Sequence, residues 1–328
     1  MKAVVFGGKG GPEVAAVRDV PDPVPQRGEV LVRVRAAALN RADLLQRRGL
    51  YPPPPGYRED VPGLELAGEV AGLGEGVAGW KVGDRVMAIA SGEAQAEYTV
   101  VDPYMLMPIP DGLSFVEAAT LPEAGITAHD ALVTQGGMRS GWTVLVHAVG
   151  SGVATAALQI AKAMGGTVIG TSRTADKIEK ASALGLDHGI LVAKEEPRFA
   201  EEVLRLTGRR GVPVVLDFVG APYAAENLAA LSRLGSIVVI GTMGGPKATL
   251  DLGLLMRARG RISGTVLRPR PLYEKIQATQ AFAKDVLPLV ASGKVKAVLD
   301  RALPAARVRE AHEQMERNES FGKIVLEF

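Results

Sequence analysis

The sequence predicts an α/β chain in two parts: a β-rich part built from both chain ends and, inserted within it, a doubly wound parallel sheet. Three observations predict it. From residue 143 onward, near-continuous Val/Ile/Leu runs alternate with helical stretches, which is how a parallel sheet covered on both faces reads. Before residue 120 the apolar runs are short and broken by Gly and Pro (Pro21, Pro23, Pro25; Gly72, Gly74, Gly76), as in a barrel or open sheet. The stretch 270–328 holds too few elements for a domain and is expected to complete the first part. The 328-residue length itself favours two domains over one core. The expected division is 1–120 with 266–328, and 121–265.

In chain order, Val4–Phe6 is a short apolar strand. Glu29–Val30–Leu31–Val32–Arg33–Val34–Arg35 alternates with period two, as a half-buried strand does. Short strands follow at Glu69–Ala71 and Arg85–Ala88. Tyr51 precedes four prolines, 52–55, which make a stiff extended loop because proline fixes φ and donates no N–H. Ser114 with Glu117 three residues on opens a helix by a capping box, and Pro122 interrupts it. Strands are then expected at 143–147, 166–170, 189–192, 212–218, 236–240 and 261–266. The helices between them fall at 152–164, 175–184, 199–206, 224–231 and 252–257. The tail reads as a helix over 273–289, a strand at 298–299, a helix over 306–316 and a strand at 323–326.

Composition excludes several classes of function. There is no cysteine, hence no disulfide, no thiolate nucleophile and no Cys-based metal site. The net charge is +2 with basic residues scattered, so nucleic acid is not an expected partner. No apolar run approaches the length of a membrane helix, and the N-terminus shows no secretory pattern; no membrane partner is expected, and the expected location is cytoplasmic. His129, His147, His188 and His312 show no metal spacing and read as structural or surface residues.

The first βα turn of the inserted part reads His147–Ala148–Val149–Gly150–Ser151–Gly152–Val153–Ala154. Small residues here let the backbone approach a pyrophosphate and let the next helix aim its N–H groups at it. Gly150, Ser151, Gly152 and Val153 are therefore dinucleotide-binding candidates, although the third glycine of the usual fingerprint falls on Thr155. The second strand ends in Gly170–Thr171–Ser172–Arg173 rather than in an acid. Thr171, Ser172, Arg173 and Lys177 suit the 2′-phosphate of NADPH better than the free ribose of NADH. Asp176 lies deeper and is read as a helix cap. Loops at the carboxyl ends of later strands add Phe218, Val219, Gly241, Met243 and Leu267 as candidate contacts.

Several long, irregular stretches carry a family resemblance: Ala38–Leu44, Gln46–Pro55, Pro62–Glu65, Leu106–Pro110, Leu121–Ala128, Ser151–Val153 and Gly322–Leu326. Over essentially its whole length the chain resembles a zinc-free medium-chain quinone oxidoreductase of the zeta-crystallin type, nearest the p53-inducible subgroup. The resemblance implies a GroES-like catalytic domain made from both ends, an inserted Rossmann domain, and a cofactor lying between them. Where zinc-containing cousins carry metal ligands, this chain has Asn40, Leu64 and Glu123, a poor zinc set. Without a metal, hydride transfer relies on positioning and on hydrogen bonds to the oxygen that gains charge.

The resemblance puts Asn40 and Tyr51 at the pocket as donors, with Asp43 orienting its loop. Thr127 is implied beside the nicotinamide. Ser151 is implied in the pocket, facing either the diphosphate or the substrate, and Met243 lines the substrate side. Ala154 and Val192 depart from the common pattern, where many relatives have glycine and tyrosine. The expected activity is NADPH-dependent reduction of quinones or similar electron-poor conjugated carbonyls by a homodimer. A 2-enal or enoyl-thioester reductase is the alternative enzyme. A non-catalytic NADPH-binding crystallin-like or RNA-binding protein is the alternative of another class.

Overall fold

The alternation at residues 29–35 becomes a strand whose Val30, Val32 and Val34 are buried while Arg33 is exposed. The structure is a computed structural model describing residues 1–328. Contacts divide it into two units: residues 1–126, 267–292 and 297–328, and residues 127–266 with 293–296.

The first unit begins with β1 (Lys2–Phe6), β2 (Ala15–Asp19), β3 (Val30–Ala38), α1 (Arg41–Arg47), β4 (Glu65–Leu73), β5 (Arg85–Ile89), β6 (Tyr98–Val101) and β7 (Leu106–Pro108), then α2 (Phe115–Ala118) and α3 (Pro122–His129). Strand and helix next alternate: β8 (Thr143–Val146), α4 (Gly152–Ala163), β9 (Thr167–Ser172), α5 (Ala175–Ser182), β10 (His188–Leu191), α6 (Ala200–Leu206), β11 (Val212–Asp217), α7 (Ala224–Ala230), β12 (Leu231–Val239), α8 (Leu252–Ala258) and β13 (Arg261–Gly264). The tail holds α9 (Leu272–Asp285), α10 (Leu287–Ala291), β14 (Leu299–Pro304), α11 (Val308–Arg317) and β15 (Lys323–Glu327).

In the first unit β1 and β2 form a hairpin sheet, and seven strands form a second sheet in the order β14-β15-β3-β4-β5-β7, with β6 also on β3. The tail does return: β15 runs antiparallel to β3, with Val325 opposite Ala38, and parallel to β14. The close of β3 is Ala36–Ala37–Ala38, all fully buried, where the strand pairs with both β15 and β4. Gly63 precedes β4 with φ of 117°; a Cβ there would lie 2.3 Å from the Gln95 amide nitrogen, so no other residue fits.

In the second unit all six strands are parallel, in the order β10-β9-β8-β11-β12-β13. That is the doubly wound dinucleotide-binding order. Its core joins Leu145, Ile169, Val215 and Ile237 of the sheet to Phe199, Val203, Tyr223 and Leu228 of the covering helices.

Differences from the expected elements have physical causes. The first crossing between units falls after Ile126 rather than after residue 120, because the first turn of α3 is held by the first unit. The Glu123 amide donates to Glu65 at 2.8 Å, and Gly125 lies so close to the Phe282 ring that a Cβ would approach it to 2.5 Å. Residues 293–296 join the second unit because the Gln159 side chain bonds both the N–H and the C=O of Lys296. Pro122 starts a helix instead of interrupting one, and α3 continues as a π-helical turn over Asp130–Gln135. The single helix expected over 273–289 is two, divided at Val286 just before Pro288, whose ring cannot continue the hydrogen-bond ladder. Helix α1 was not expected at all. No helix is long and apolar enough to cross a membrane.

Candidate active site

In the first unit, a buried polar cluster gathers at the start of α1, the start of β4, the start of α3 and the segment after Val266. Asn40 caps α1, and Asp43 accepts from the Asn40 backbone N–H at 2.8 Å. Asp43 also accepts from the Gln95 side chain at 3.1 Å. Glu65, fully buried, is the hub. One oxygen takes the Asn40 amide at 2.9 Å and the Lys323 ammonium at 2.6 Å; the other takes the Glu123 N–H. Lys323 also donates to the Leu39 carbonyl at 2.7 Å and to Asn40 Oδ1 at 2.6 Å, so its three hydrogens are all satisfied.

Beside this hub, Arg268 is 3% exposed. It donates to the Ser91 and Tyr51 carbonyls at 2.8 and 3.1 Å and to the Gln46 side chain at 2.7 Å. Its guanidinium stands 5.4 Å from the centre of the Tyr51 ring. Lys275 donates to the Ser91 hydroxyl. Tyr51, at the edge of the proline loop, is thereby fixed through its backbone and ring, while its hydroxyl has no partner within the chain.

The electrostatics follow from putting carboxyls in a dry place. Burial pushes Asp43 up to about 6, against the pull of the Asn40 N–H, Arg268 and Lys323. Glu123 is pushed up to about 8, first by burial and then by the like charge of Glu65. Burial followed by the Glu123 charge raises Tyr51, with Arg268 acting in the opposite direction. Burial also lowers Arg268 and Lys275. One ammonium thus serves Glu65, and Glu123 is left neutral beside it at pH 7.

Among the expected site residues, Asn40, Tyr51 and Asp43 come together here. Asn40, however, already spends both amide hydrogens, on Glu65 and on the Ala38 carbonyl. That corrects its expected role as a free donor: it holds the hub together. Leu267 is buried in this unit. Gln46, Glu65, Glu123, Arg268 and Lys323 carry the cluster, yet none stood among the expected functional residues. Their available signal was a charged or amide side chain inside an otherwise apolar, strand-like or irregular stretch, as at Leu64–Glu65–Leu66 and Lys323–Ile324–Val325.

In the second unit the β8–α4 turn is tight and leads directly into a helix N-terminus. Ala148 has φ of 50°, a left-handed setting that costs an alanine about 1 kcal/mol. It lets the Ser151 N–H bond the Ala148 carbonyl at 2.8 Å. Ser151 caps α4 by accepting from Ala154, and the helix N-terminus opens at Gly152 and Val153. The stem of Lys177, from α5, lies across Gly150: a Cβ at Gly150 would come within 2.6 Å of Lys177 Cδ. Arg173 is exposed at the end of β9.

Thr171 and Ser172, expected to meet the 2′-phosphate, both make hydrogen bonds within the chain. Both are buried. The Thr171 hydroxyl lies 2.8 Å from His147 Nδ1, and the Ser172 hydroxyl accepts from the Thr174 N–H at 3.1 Å. His147 Nε2 meets Asn227 Oδ1 at 2.6 Å, and the Asn227 amide donates to Asp217 at 3.0 Å. Because Asn227 Oδ1 can only accept, His147 carries its proton on Nε2 and accepts from Thr171. This chain of bonds ties β8, β9, β11 and α7 together below the turn, and its hydroxyl is spent there. Past β11, the Val219 and Gly220 amides both donate to Asp217 at 2.7 and 2.9 Å. Phe218 is buried, Val219 and Gly241 are half-buried, and Met243 is exposed. Thr127 is a half-buried residue of α3.

Comparison with known proteins agrees with both halves. Residues 26–111 match the family described as alcohol dehydrogenase GroES-like domain, and residues 152–285 match the family described as zinc-binding dehydrogenase. A quinone oxidoreductase of Pseudomonas aeruginosa is 34% identical over 99% of both chains. The chain belongs to the medium-chain dehydrogenase/reductase family. A synaptic vesicle membrane protein VAT-1 homologue of Rattus norvegicus is 31% identical over 99% of this chain and 84% of its own. Among solved structures, an NAD-dependent alcohol dehydrogenase superposes with a TM-score of 0.89 at 34% identity, each chain covered in full. A mycobacterial protein complexed with NADPH also superposes at 0.89, with 28% identity and full coverage of both chains. Membership makes this chain an oxidoreductase with a nicotinamide-nucleotide domain. The zinc in the second family's description does not fit the residues present: there is no cysteine, and no three His, Asp or Glu residues stand close enough to hold a metal ion.

Proposed function

We propose that this chain is an NADPH-dependent reductase of quinones and similar electron-poor conjugated carbonyls. The observation that carries the reading is the fixed Tyr51. Its backbone and ring are clamped by Arg268, it stands in a cluster without a metal-ligand set, and its hydroxyl is left for an incoming oxygen. The full-length likeness to a quinone oxidoreductase supports the same substrate class.

NADPH bound at the β8–α4 turn supplies a hydride. The chain's own work is then to hold the diphosphate on the N–H groups at Gly152 and Val153, to meet the 2′-phosphate with Lys177 and Arg173, and to donate from Tyr51 to the acceptor oxygen as charge gathers there. Rates with NADPH and NADH against 1,2-naphthoquinone, a 2-enal and an enoyl thioester test the reading. Fast NADPH-dependent reduction of the quinone is expected; no quinone turnover alongside fast enoyl-thioester reduction would overturn it.

Two variants test the assignments. Tyr51→Phe is expected to lower kcat about 100-fold with NADPH affinity unchanged; an unaltered rate removes Tyr51 from the role. Lys177→Ala is expected to weaken NADPH binding by about 10- to 100-fold, as loss of one charged phosphate contact does. NADH binding should hardly change. Fluorescence titration with both nucleotides decides it, and equal losses would show that Lys177 meets no 2′-phosphate.

A further inference from the structure

We propose that Asp217 is a positioning residue of the nucleotide site: its side chain and its carbonyl lock the loops after β11 and β12 into one rigid ledge for the nicotinamide half of the cofactor. The inference rests on the nicotinamide-nucleotide reading of this unit and not on the choice of acceptor.

The strand order places the ledge. The chain runs outward from β8 through β9 to β10, then returns to β11 on the other side of β8 and continues to β12 and β13. The order therefore reverses between β8 and β11. A dinucleotide lies across the carboxyl ends of the strands at such a reversal, one mononucleotide on each half of the sheet. With the diphosphate at the β8–α4 turn and the 2′-phosphate at Arg173 and Lys177, the β8–β10 half takes the adenosine end. The β11–β13 half is left with the nicotinamide end. Phe218, Val219, Gly241 and Met243, the expected cofactor contacts of this half, all lie on the two loops 218–221 and 240–245.

Asp217 closes β11 and is 2% exposed. One of its side-chain oxygens accepts from the Val219 and Gly220 N–H groups at 2.7 and 2.9 Å. The other accepts from the Asn227 amide at 3.0 Å, and Asn227 is itself held by His147. The Asp217 carbonyl accepts from the Ile240 and Gly241 N–H groups at 2.7 and 3.2 Å. Beyond it the loops are zipped by backbone alone. The Met243 N–H donates to the Phe218 carbonyl at 3.4 Å, Gly244 to Val219 at 2.8 Å, and Ala221 to Gly245 at 3.0 Å.

The zipper admits no side chain at its centre. Gly220 has φ of 83°, and a Cβ there would lie 2.6 Å from the Gly245 carbonyl oxygen. These backbone bonds hold the loops to each other. The Asp217 side chain turns the first loop back over the end of its own strand and, through Asn227, anchors it to α7. Both side-chain oxygens are spent inside the chain, so Asp217 acts through the loops rather than on the nucleotide.

Asp217→Ala leaves the Val219, Gly220 and Asn227 donors without their acceptor. It should weaken NADPH binding about 10-fold and lower kcat by a similar factor, because the loops spend less time in the binding arrangement. Adenosine 2′,5′-bisphosphate, which lacks the nicotinamide half, should bind as it does to the parent. A variant that was merely less stable would lose both ligands alike or neither. Asp217→Asn keeps one acceptor oxygen for both loop amides and should restore most of the loss, with Asn227 turning its amide to suit. Asp217→Val, which fills the site without an acceptor, serves if the alanine variant does not fold.

A readout without any nucleotide is amide hydrogen exchange in the free protein. Exchange should quicken in 218–221 and 240–245 together in Asp217→Ala and slow again in Asp217→Asn. NADPH binding and kcat within about twofold of the parent in Asp217→Ala overturn the proposal. So do equal losses for NADPH and the bisphosphate, or quickened exchange confined to 218–221. Failure of the nucleotide reading looks different: the parent itself then binds neither NADPH nor NADH.

Discussion

Glu65→Gln should destabilise the first unit by about 3–5 kcal/mol, the usual result of breaking a buried ion pair from one side. Glutamine is nearly isosteric, so the effect isolates charge and acceptor count. Lys323 is 6% exposed and would keep two neutral acceptors, the Leu39 carbonyl and Asn40 Oδ1, with no anion. A glutamine also has only one acceptor oxygen. It cannot serve both Lys323 with Asn40 and, on the far side, the Glu123 N–H, so one donor is orphaned. Because that side chain ties β4 to α1, α3 and β15, the loss reaches four elements at once. Urea unfolding followed by tryptophan fluorescence and circular dichroism would measure it. The double variant Glu65→Leu with Lys323→Met should recover most of the stability, since well-packed apolar residues often match a buried pair. A change below about 1 kcal/mol for Glu65→Gln would mean that the hub charge is not what the ammonium depends on.

The second large effect is a pH dependence in the other unit. His147 is fully buried and its value is lowered from 6.5 to about 4, chiefly by burial, with the Asn227 bond opposing. Between pH 6.5 and about 4 the unfolded chain therefore binds a proton at this position and the folded chain does not. Stability then falls as pH falls. The contribution is complete above 6.5 and about 3 kcal/mol of it is gone at pH 4. A single acid scan would mix this with the carboxyls, whose raised values act with the opposite sign: Asp43 and Glu123 take up protons in the folded state first, so acidification from about 8 favours folding. The comparison of parent with His147→Gln separates them. The variant is expected to start less stable at pH 7, because the bond to Asn227 is disturbed, and the gap should close by about 3 kcal/mol between pH 7 and 4. A gap independent of pH would show that His147 titrates alike in the folded and unfolded chain.

How much of this was legible beforehand depended on periodicity. The parallel sheet was read strand by strand, because its central strands β8, β9 and β11 are buried and their apolar runs are nearly continuous. The return of the tail was legible too, since 270–328 holds too few elements to make a core of its own. Helix α1 was missed because Arg41–Arg47 shows little helical stripe, with Leu44 and Leu45 adjacent; its start is set by the Asn40–Asp43 cap instead.

The dinucleotide turn was read from its small residues, but Thr171 was misjudged. A hydroxyl at a strand end looks available until His147, 24 residues earlier, is brought to 2.8 Å. The polar cluster around Glu65 was the least legible part. Asn40, Glu65, Arg268 and Lys323 are far apart along the chain, and pairwise spacing carries no trace of contacts separated by hundreds of residues. A single glutamate in an apolar strand announces only that some cation must reach it.

The placement of β15 between β14 and β3 has a consequence for birth on the ribosome. The second unit is encoded in one nearly continuous run, 127–266, and can close as soon as that run has emerged. The first unit cannot: its sheet lacks two strands until residue 327 has been made, and the anion of Glu65 has no cation until Lys323 arrives. At about 5–20 residues per second, the half of the protein made first waits longest to finish folding, with the outer edge of β3 open and Glu65 hydrated.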